Sequence, residues 1–462
     1  MSKDKIKYQF SIKSESELEK LSHDELLNYI KNLQKNIVQE KPPKNSNNSS
    51  IPSSTEIVNP KPKKNQSLRE KSNKKVGGQF GREGVTLLQS DTPNEIIELG
   101  YTLATCKKCH FDLGRVIATL KEKRQVLDIE LSSIETEITE YQSFSKKCPQ
   151  CGTHNHDNAF GANVTPNISY GATISAMVSY LSVSQYLSNK RIVSLLSNLF
   201  NITLSEGSIT KLLAKASRLS QSEIEKMKVL LSESAVVGID ETGCKVDGER
   251  HWHWTFQNSD TTLVIAHKSR GTKVITETFE YGFSKACVVH DNYASYSTLE
   301  CQSEQLCLAH KLRDLNYVIE CDDTKLMKDI KKIFQEAIRD DKEELTSQQR
   351  VKLKADYERS LDHLLSMPTI AKSETDKQVK SLIKSKHKIF TFLLDATIPP
   401  DNNASERAIR NVKVKQKVSG QFKSLSGAQN YATLRSIIDT SRKKGLNEFE
   451  SLVSVIKGNS LF

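Results

Sequence analysis

The spacing of apolar and polar residues changes character several times along the chain. Over residues 22–39, Leu26, Ile30, Leu33 and Ile37 fall at heptad-like steps. This predicts a short amphipathic helix, opened by Ser22 and Glu25 at capping-box spacing. Two heptads suit self-association and packing on the same chain equally. Residues 41–76 are rich in Lys, Pro, Ser and Asn and nearly free of large apolar side chains, as in a disordered linker, and GGQFGREG (77–84) continues them as a turn-rich link. Further on, Val126 to Ile129 and the alternating Ile134, Thr136 and Ile138 predict strands. Residues 167–234 are helical in pattern. Ile192, Leu195, Leu196 and Leu199 mark one helix, Ile209, Leu212, Leu213 and Ala216 a second, and Ser205 is a natural N-cap between them. That is the form of a helix-turn-helix, and of many helical hairpins that touch no DNA.

From residue 235 strands take over. Ala235 to Asp240 is an apolar run ending on an acid, 251–257 and 261–267 form a hairpin pattern, 286–290 is a buried-type strand followed by Asp291, and 305–309 reads as a fifth. A helix is expected at 272–279 and another from about Tyr293. Residues 311–395 become helical and charged, with apolar steps Leu326, Ile330, Ile333 and Ala337, and a last helical portion follows Pro399 and Pro400. The expected units are an N-terminal helical segment (1–40), a basic linker (41–84), a cysteine-bearing domain (85–160), a helical domain (161–234), a strand-rich core (235–310), a helical insertion (311–398) and a completion of the core with C-terminal helices (399–462). Together they make a multidomain α/β chain.

Charge and cysteine content narrow the chemistry. The 462 residues carry a formal net charge of +11, which favours polyanions as partners. No apolar run approaches the roughly 18 residues that cross a bilayer. The N-terminus lacks the apolar core of a secretory signal, so a cytoplasmic location and no membrane partner are expected. Eight Lys or Arg against one acid over residues 61–82 make Lys63, Lys64, Lys74 and Lys75 candidates for DNA contact, if the run is not simply a solvated linker. Nine cysteines, an odd number without a secretion signal, argue against a disulfide framework. Four of them, Cys106-x2-Cys109 and Cys148-x2-Cys151, form two knuckles that suit tetrahedral Zn2+ as a structural zinc ribbon. His110, His154 and His156 leave a mixed ligand set open.

Three carboxylates carry the candidate reaction. Side chains alternate along a strand, so Asp240 and Glu241 point opposite ways and only Asp240 is expected to share a site with Asp291. Two acids ending neighbouring strands need a cation between them, and Mg2+ or Mn2+ prefers such oxygen ligands. Two ions about 4 Å apart would stabilise the attacking and leaving oxygens of a phosphodiester. The third acid, Glu406, lies three residues after Asn403, which is also capping-box spacing. Asn402, Glu406 and Arg410 stand at steps of four on one helix face. Arg407, Lys413, Lys415 and Lys417 give that helix and its surroundings a positive surface for phosphates. Cys307-x2-His310 reads either as a buried thiol and polar cap or as support for the active site. Trp252 and Trp254 read as core, though an exposed indole could stack on a flipped base.

The strings GIDETG (238–243), VVHDNYASY (288–296), CLAH (307–310) and DNNASERAIRNV (401–412), with GGQFGREG and the paired CxxC unit upstream, resemble the catalytic blocks of insertion sequence 66 family transposases, over residues 60 to about 452. The resemblance implies an RNase H-like mixed sheet with a D-D-E triad at Asp240, Asp291 and Glu406, interrupted by a helical insertion. It further implies two Mg2+ or Mn2+ ions, a structural Zn2+, double-stranded DNA (transposon ends and target) as partner, a homo-oligomer, and accessory proteins of the same element, in a nucleoid-associated bacterial protein. The N-terminal helix lies outside the resemblance, and the end GNSLF is short for the family. Two rival functions are a decayed DNA-binding protein and a structure-specific nuclease that joins nothing.

Overall fold

In the computed structural model, the described residues are 169–462, apart from 281, 297 and 298. Short pieces of the preceding chain are also described: 7–8, 18, 21–27, 29, 37–38, 91–92, 96, 104–106, 108–117, 136–140, 145–147, 149–151 and 154–156. The expected linker, Lys63, Lys64, Lys74, Lys75, the strand at 126–129 and Cys148 lie outside them. Near the N-terminus Ser22 and Glu25 do form a capping box, with the Ser22 amide donating to Glu25 Oε2 at 2.9 Å. The helix does not run to 39, however, because Ile37–Val38 pairs antiparallel with Lys7–Tyr8. Residues 136–140 are exposed and carry no strand; the Thr136 hydroxyl donates instead to the Phe200 carbonyl at 3.0 Å.

Over residues 169–235 the α-helices are α1 (Ala172–Ser179), α2 (Asn189–Phe200), α3 (Glu206–Leu219) and α4 (Gln221–Ser232), with a π-helical turn, Tyr180–Ser184, after α1. The turn between α2 and α3 is local chemistry. Asn201 ends α2 in the left-handed region at φ 51°, and Ser205 opens α3 by accepting from the Ser208 amide at 3.0 Å.

The strands of the central sheet are β1 (Val236–Val246), β2 (Glu249–Gln257), β3 (Thr262–His267), β4 (Phe283–His290) and β5 (Cys301–Leu306), with α5 (Lys273–Thr278) between β3 and β4. They form one five-stranded sheet in the order β3-β2-β1-β4-β5. The first three are antiparallel neighbours, and β4 and β5 join parallel to β1. This mixed order fits an RNase H-like core. Two sequence expectations shift here. The fifth strand ends at Leu306 rather than 309, because the Leu308 amide turns to donate to the Pro400 carbonyl at 2.8 Å and a helix begins. The helix expected from Tyr293 is a single 3-10 turn, Ala294–Tyr296.

Four further helices fill the insertion: α6 (Leu308–Asp322), α7 (Lys325–Asp340), α8 (Ser347–Leu365) and α9 (Glu374–Ser385). The chain closes with α10 (Asn403–Ser419), α11 (Leu425–Lys443) and α12 (Glu448–Ile456). The period of two along β4 divides the interior. Ala286 and Val288 enter a core with Ile239, Trp254 and Phe256 of the sheet, Ala216 of α3, Met227 of α4, Ile437 of α11 and Leu452 of α12. Cys287 and Val289 face the insertion, packing with Leu312, Ile330, Phe334 and Phe390. The sheet is thus covered on both faces, and only its strand ends and the neighbouring loops are left for chemistry.

Candidate active site

The register of the two central strands brings the first two acids together. Parallel pairing sets Val236 beside Cys287, Val237 beside Val288 and Gly238 beside Val289. Carrying that register two residues further sets Asp240 beside Asp291. The side chain of Asp240 lies on the face of β1 shared with Gly238, and α10 crosses that face. A methyl group at Gly238 would stand 2.6 Å from Ser405 Oγ and 3.0 Å from Asn402 Oδ1, so the missing side chain is what lets α10 come so near. The helix is pinned by hydrogen bonds: Asn402 Nδ2 donates to the Ile239 carbonyl at 2.7 Å, Ser405 Oγ to Asn402 Oδ1 at 2.6 Å, and Gln257 Nε2 to Ser405 Oγ at 3.3 Å. Asn402 is therefore buried in the seat of the helix, while Arg410 is exposed.

The helix start also resolves the ambiguity of Glu406. Asn402, not Asn403, is the N-cap, and its side chain makes no capping bond. Glu406 closes no capping box. Its Oε1 lies 3.6 Å from His310 Nε2 and its Oε2 3.7 Å from an Arg410 nitrogen. Oε1 is buried without a hydrogen bond.

Electrostatics mark Asp240 as the centre. Burial, then the charges of Asp291, Glu241 and Glu406, push its carboxyl well above the usual range. Such a crowd of acids is the donor set for a divalent cation, whose charge would remove the repulsion. The residues present therefore fit Mg2+ or Mn2+. Among the described residues, one group of three His, Cys, Asp or Glu side chains has all its ligand atoms within 4.8 Å, and it is Cys307, His310 and Glu406. Glu406 is thus turned towards His310.

Glu241 points to the opposite face, as strand alternation requires, but it is not idle. It is buried, accepts from Arg270 Nε at 2.8 Å and NH2 at 2.7 Å, and is hydrogen-bonded by the Tyr296 hydroxyl. The Arg270 guanidinium is 3.7 Å from the Tyr293 ring centre and 4.7 Å from that of Trp252, over which Arg250 also lies at 5.1 Å. This cationic, aromatic edge stands next to Asp291: burial works against the Arg270 charge, but Glu241, then Tyr293 and Asp291, hold the guanidinium in its charged form. Trp252 is half-buried in it, whereas Trp254 is wholly core. Below Asp291, His290 Nε2 bonds Glu304 Oε2 at 2.9 Å, and Lys388 from the insertion pairs with the same carboxylate at 2.7 Å. Burial raises the Glu304 carboxyl, but these two donors outweigh it and leave it below its ordinary value.

Residues 167–430, more than half of the 462, match the family described as Transposase IS66 family. The chain belongs to that family. No curated protein matches it. Membership supports a transposase role, with DNA as the partner. The span matched in this IS66 transposase contains all three carboxylates, Cys307 and His310, and excludes both cysteine pairs. No helix among the described residues is long and apolar enough to cross a membrane.

The remaining candidates divide. Arg407, Arg410 and Lys417 are exposed on α10. Lys413 Nζ is tied to the Gly243 carbonyl at 3.0 Å, and Lys415 turns inward to the Ser182 carbonyl at 3.2 Å, so its ammonium is used inside the protein. Cys106 and Cys109 sit in a tight turn in which the Cys106 amide donates to the Phe111 carbonyl at 2.8 Å and the Lys108 amide reaches Cys106 Sγ at 3.5 Å. Hydrogen bonds from the Cys109 and Lys108 backbone amides hold the Cys106 thiol below its ordinary value, which favours the thiolate, the form that binds metal. Cys151 follows in the turn between paired strands Ser145–Lys147 and His154–His156. Arg270, Tyr296 and the buried Lys311 are residues that strand and helix patterns did not single out. The signal present was indirect: Tyr296 belongs to VVHDNYASY, and Arg270 to a basic loop after β3.

Proposed function

We propose that this IS66 transposase cuts the ends of its element and joins them to target DNA through a D-D-E triad of Asp240, Asp291 and Glu406. The observation that supports this reading is the parallel β1–β4 pairing, Val236–Cys287 to Gly238–Val289, which runs towards Asp240 and Asp291, together with the Asn402–Ile239 hydrogen bond at the start of α10, the helix that carries Glu406. Asp240 and Asp291 would share two divalent ions, Mg2+ or Mn2+, and Glu406 would complete one of the two sites. When bound, the ions supply a nucleophile at neutral pH and neutralise the leaving oxygen of an in-line displacement.

The side chains around the triad have distinct tasks. Asn402 and Ser405 hold α10 at its distance from β1 and so place the Glu406 carboxylate. Arg410 and Arg407, exposed beside it, neutralise strand phosphates. Arg270, fixed by Glu241, supplies a rigid positive edge next to Asp291. Upstream, Cys106, Cys109, Cys148 and Cys151 hold a structural Zn2+. The α2–α3 hairpin and the lysines at 63, 64, 74 and 75 add sequence-independent grip on DNA. The active species is a homo-oligomer, working with accessory proteins of its element.

Asp240→Asn tests the triad. It keeps the shape of the side chain and removes the charge, so Mg2+-dependent cleavage of the element's ends should vanish while DNA binding, measured by fluorescence anisotropy in chelator, stays within twofold. Cleavage at the wild-type rate would sink the assignment.

A further inference from the structure

We infer that Cys307, His310 and Glu406 form a second, softer metal site, one that takes Zn2+ or Cd2+ in preference to Mg2+ and competes for the Glu406 carboxylate. The three side chains converge from two elements. Cys307 is the residue before α6, His310 lies three positions on, and the two therefore share a face of the helix start. Glu406 approaches from α10, whose own entry is fastened to Cys307, since the Asn402 amide donates to Cys307 Sγ at 3.2 Å. All three ligand atoms lie within 4.8 Å of one another.

The gap between His310 and Glu406 suits an ion better than a proton. Nε2 and Oε1 are 3.6 Å apart, beyond hydrogen-bond reach, and Oε1 is buried with no hydrogen-bond partner, as is His310 Nδ1. Two ligands at about 2.0–2.1 Å from a tetrahedral Zn2+ stand about 3.4 Å apart. A slight closure would satisfy the buried oxygen that is now unpaired.

The donor set decides which ion enters. A thiolate, an imidazole and one carboxylate oxygen suit Zn2+ and Cd2+, whereas Mg2+ wants an octahedron of oxygens. Capture displaces the Cys307 thiol proton to solvent, and three protein ligands leave the fourth position to water. The side chains of His310 and Glu406 remain 13% and 17% exposed, whereas Cys307 is buried, so an ion enters from the imidazole and carboxylate side. An ion bound there would hold Glu406 on the His310 side, away from Asp240 and Asp291. The consequence for cleavage rests on the D-D-E reading, but the binding itself does not.

The test is a Cd2+ titration of the metal-stripped full-length protein, followed by the ultraviolet thiolate-to-metal band and by equilibrium dialysis. Wild type should bind one equivalent more than Cys307→Ser. His310→Gln, which keeps the thiol, should bind that equivalent at least tenfold more weakly. Equal stoichiometry and affinity in all three proteins overturns the site. Should Cys307→Ser fail to fold, His310→Gln alone decides, and wild-type affinity in it is the overturning result. In Mg2+-dependent cleavage, Zn2+ should inhibit wild type more than Cys307→Ser, each relative to its own uninhibited rate. An extra Cd2+ equivalent with no cleavage by any protein supports the site and counts only against the D-D-E reading.

Discussion

Gly238→Ala is the smallest change that should separate Glu406 from its partners. Gly238 lies two residues before Asp240, where α10 crosses β1. An added Cβ would meet Gln257 Nε2 at 2.5 Å, Ser405 Oγ at 2.6 Å and Asn402 Oδ1 at 3.0 Å, against an ordinary contact of at least 3.4 Å. The shortfall against the helix itself, 3.4 less 2.6 at Ser405 Oγ, is 0.8 Å. Gln257 can swing aside, but Ser405 and Asn402 belong to the helix start, so α10 must retreat. Overpacking of this kind costs about 1–3 kcal/mol. Stretching the Asn402–Ile239 bond loses about 1 kcal/mol more. Misplacing a reacting group by about 1 Å costs on the order of 100-fold in rate. The variant should therefore remain folded, with a melting temperature a few degrees lower, and cleave the element's ends about 100-fold more slowly at a temperature where circular dichroism shows it intact. Cleavage within twofold of wild type would refute the view that the close approach of α10 sets the position of Glu406.

Three further outcomes follow from the same packing. Burial holds His253 down to about 4. Its folded form resists a proton that the unfolded chain accepts below about pH 6.5, so stability is undiminished above that pH and falls by about 3 kcal/mol as pH drops towards 4. Urea unfolding of His253→Leu across that window should lose this part of the slope, and an unchanged slope would show that another group carries it. Because burial and then the neighbouring acids raise Asp240, Asp240→Asn should be more stable than wild type in chelator, by about 0.5–2 kcal/mol, and should lose the stabilisation that Mn2+ gives wild type; a less stable variant contradicts the cost of that buried, crowded charge. Arg270→Met strips buried Glu241 of its cation and should destabilise by about 3 kcal/mol. Adding Glu241→Gln should restore most of that loss in a double-mutant cycle, and additive losses would show that the pair is uncoupled.

Much of the core was legible from local pattern. The apolar runs ending in Asp240 and Asp291, the hairpin at β2–β3 and the stepped helix α7 each appear where periodicity put them, because a buried strand or an amphipathic helix writes its own period into the chain. The opposite facing of Asp240 and Glu241 was legible for the same reason. What failed were properties set by distant partners. The run Gln305 to Ala309 looks like strand throughout, but Leu308 bonds Pro400 and turns into α6. Lys415 belongs to a basic run by sequence, but packs on Ser182, more than 200 residues away. Glu406 fits a capping box by spacing, but the helix begins one residue earlier than that reading requires. The role of Gly238 depends on a helix that follows it by more than 160 residues, and no local pattern announces it.

In the proposed reaction, three carboxylates cut DNA ends and then join them. The direct measurement incubates the protein with DNA carrying the element's two ends, a target plasmid and Mg2+, and maps every product strand. Wild type should give 3′-hydroxyl ends and integrants joined at those ends, with both products lost in Asp240→Asn, Asp291→Asn and Glu406→Gln. Integrants made by any of these three variants at the wild-type level, or cut ends from wild type that never join, would contradict it.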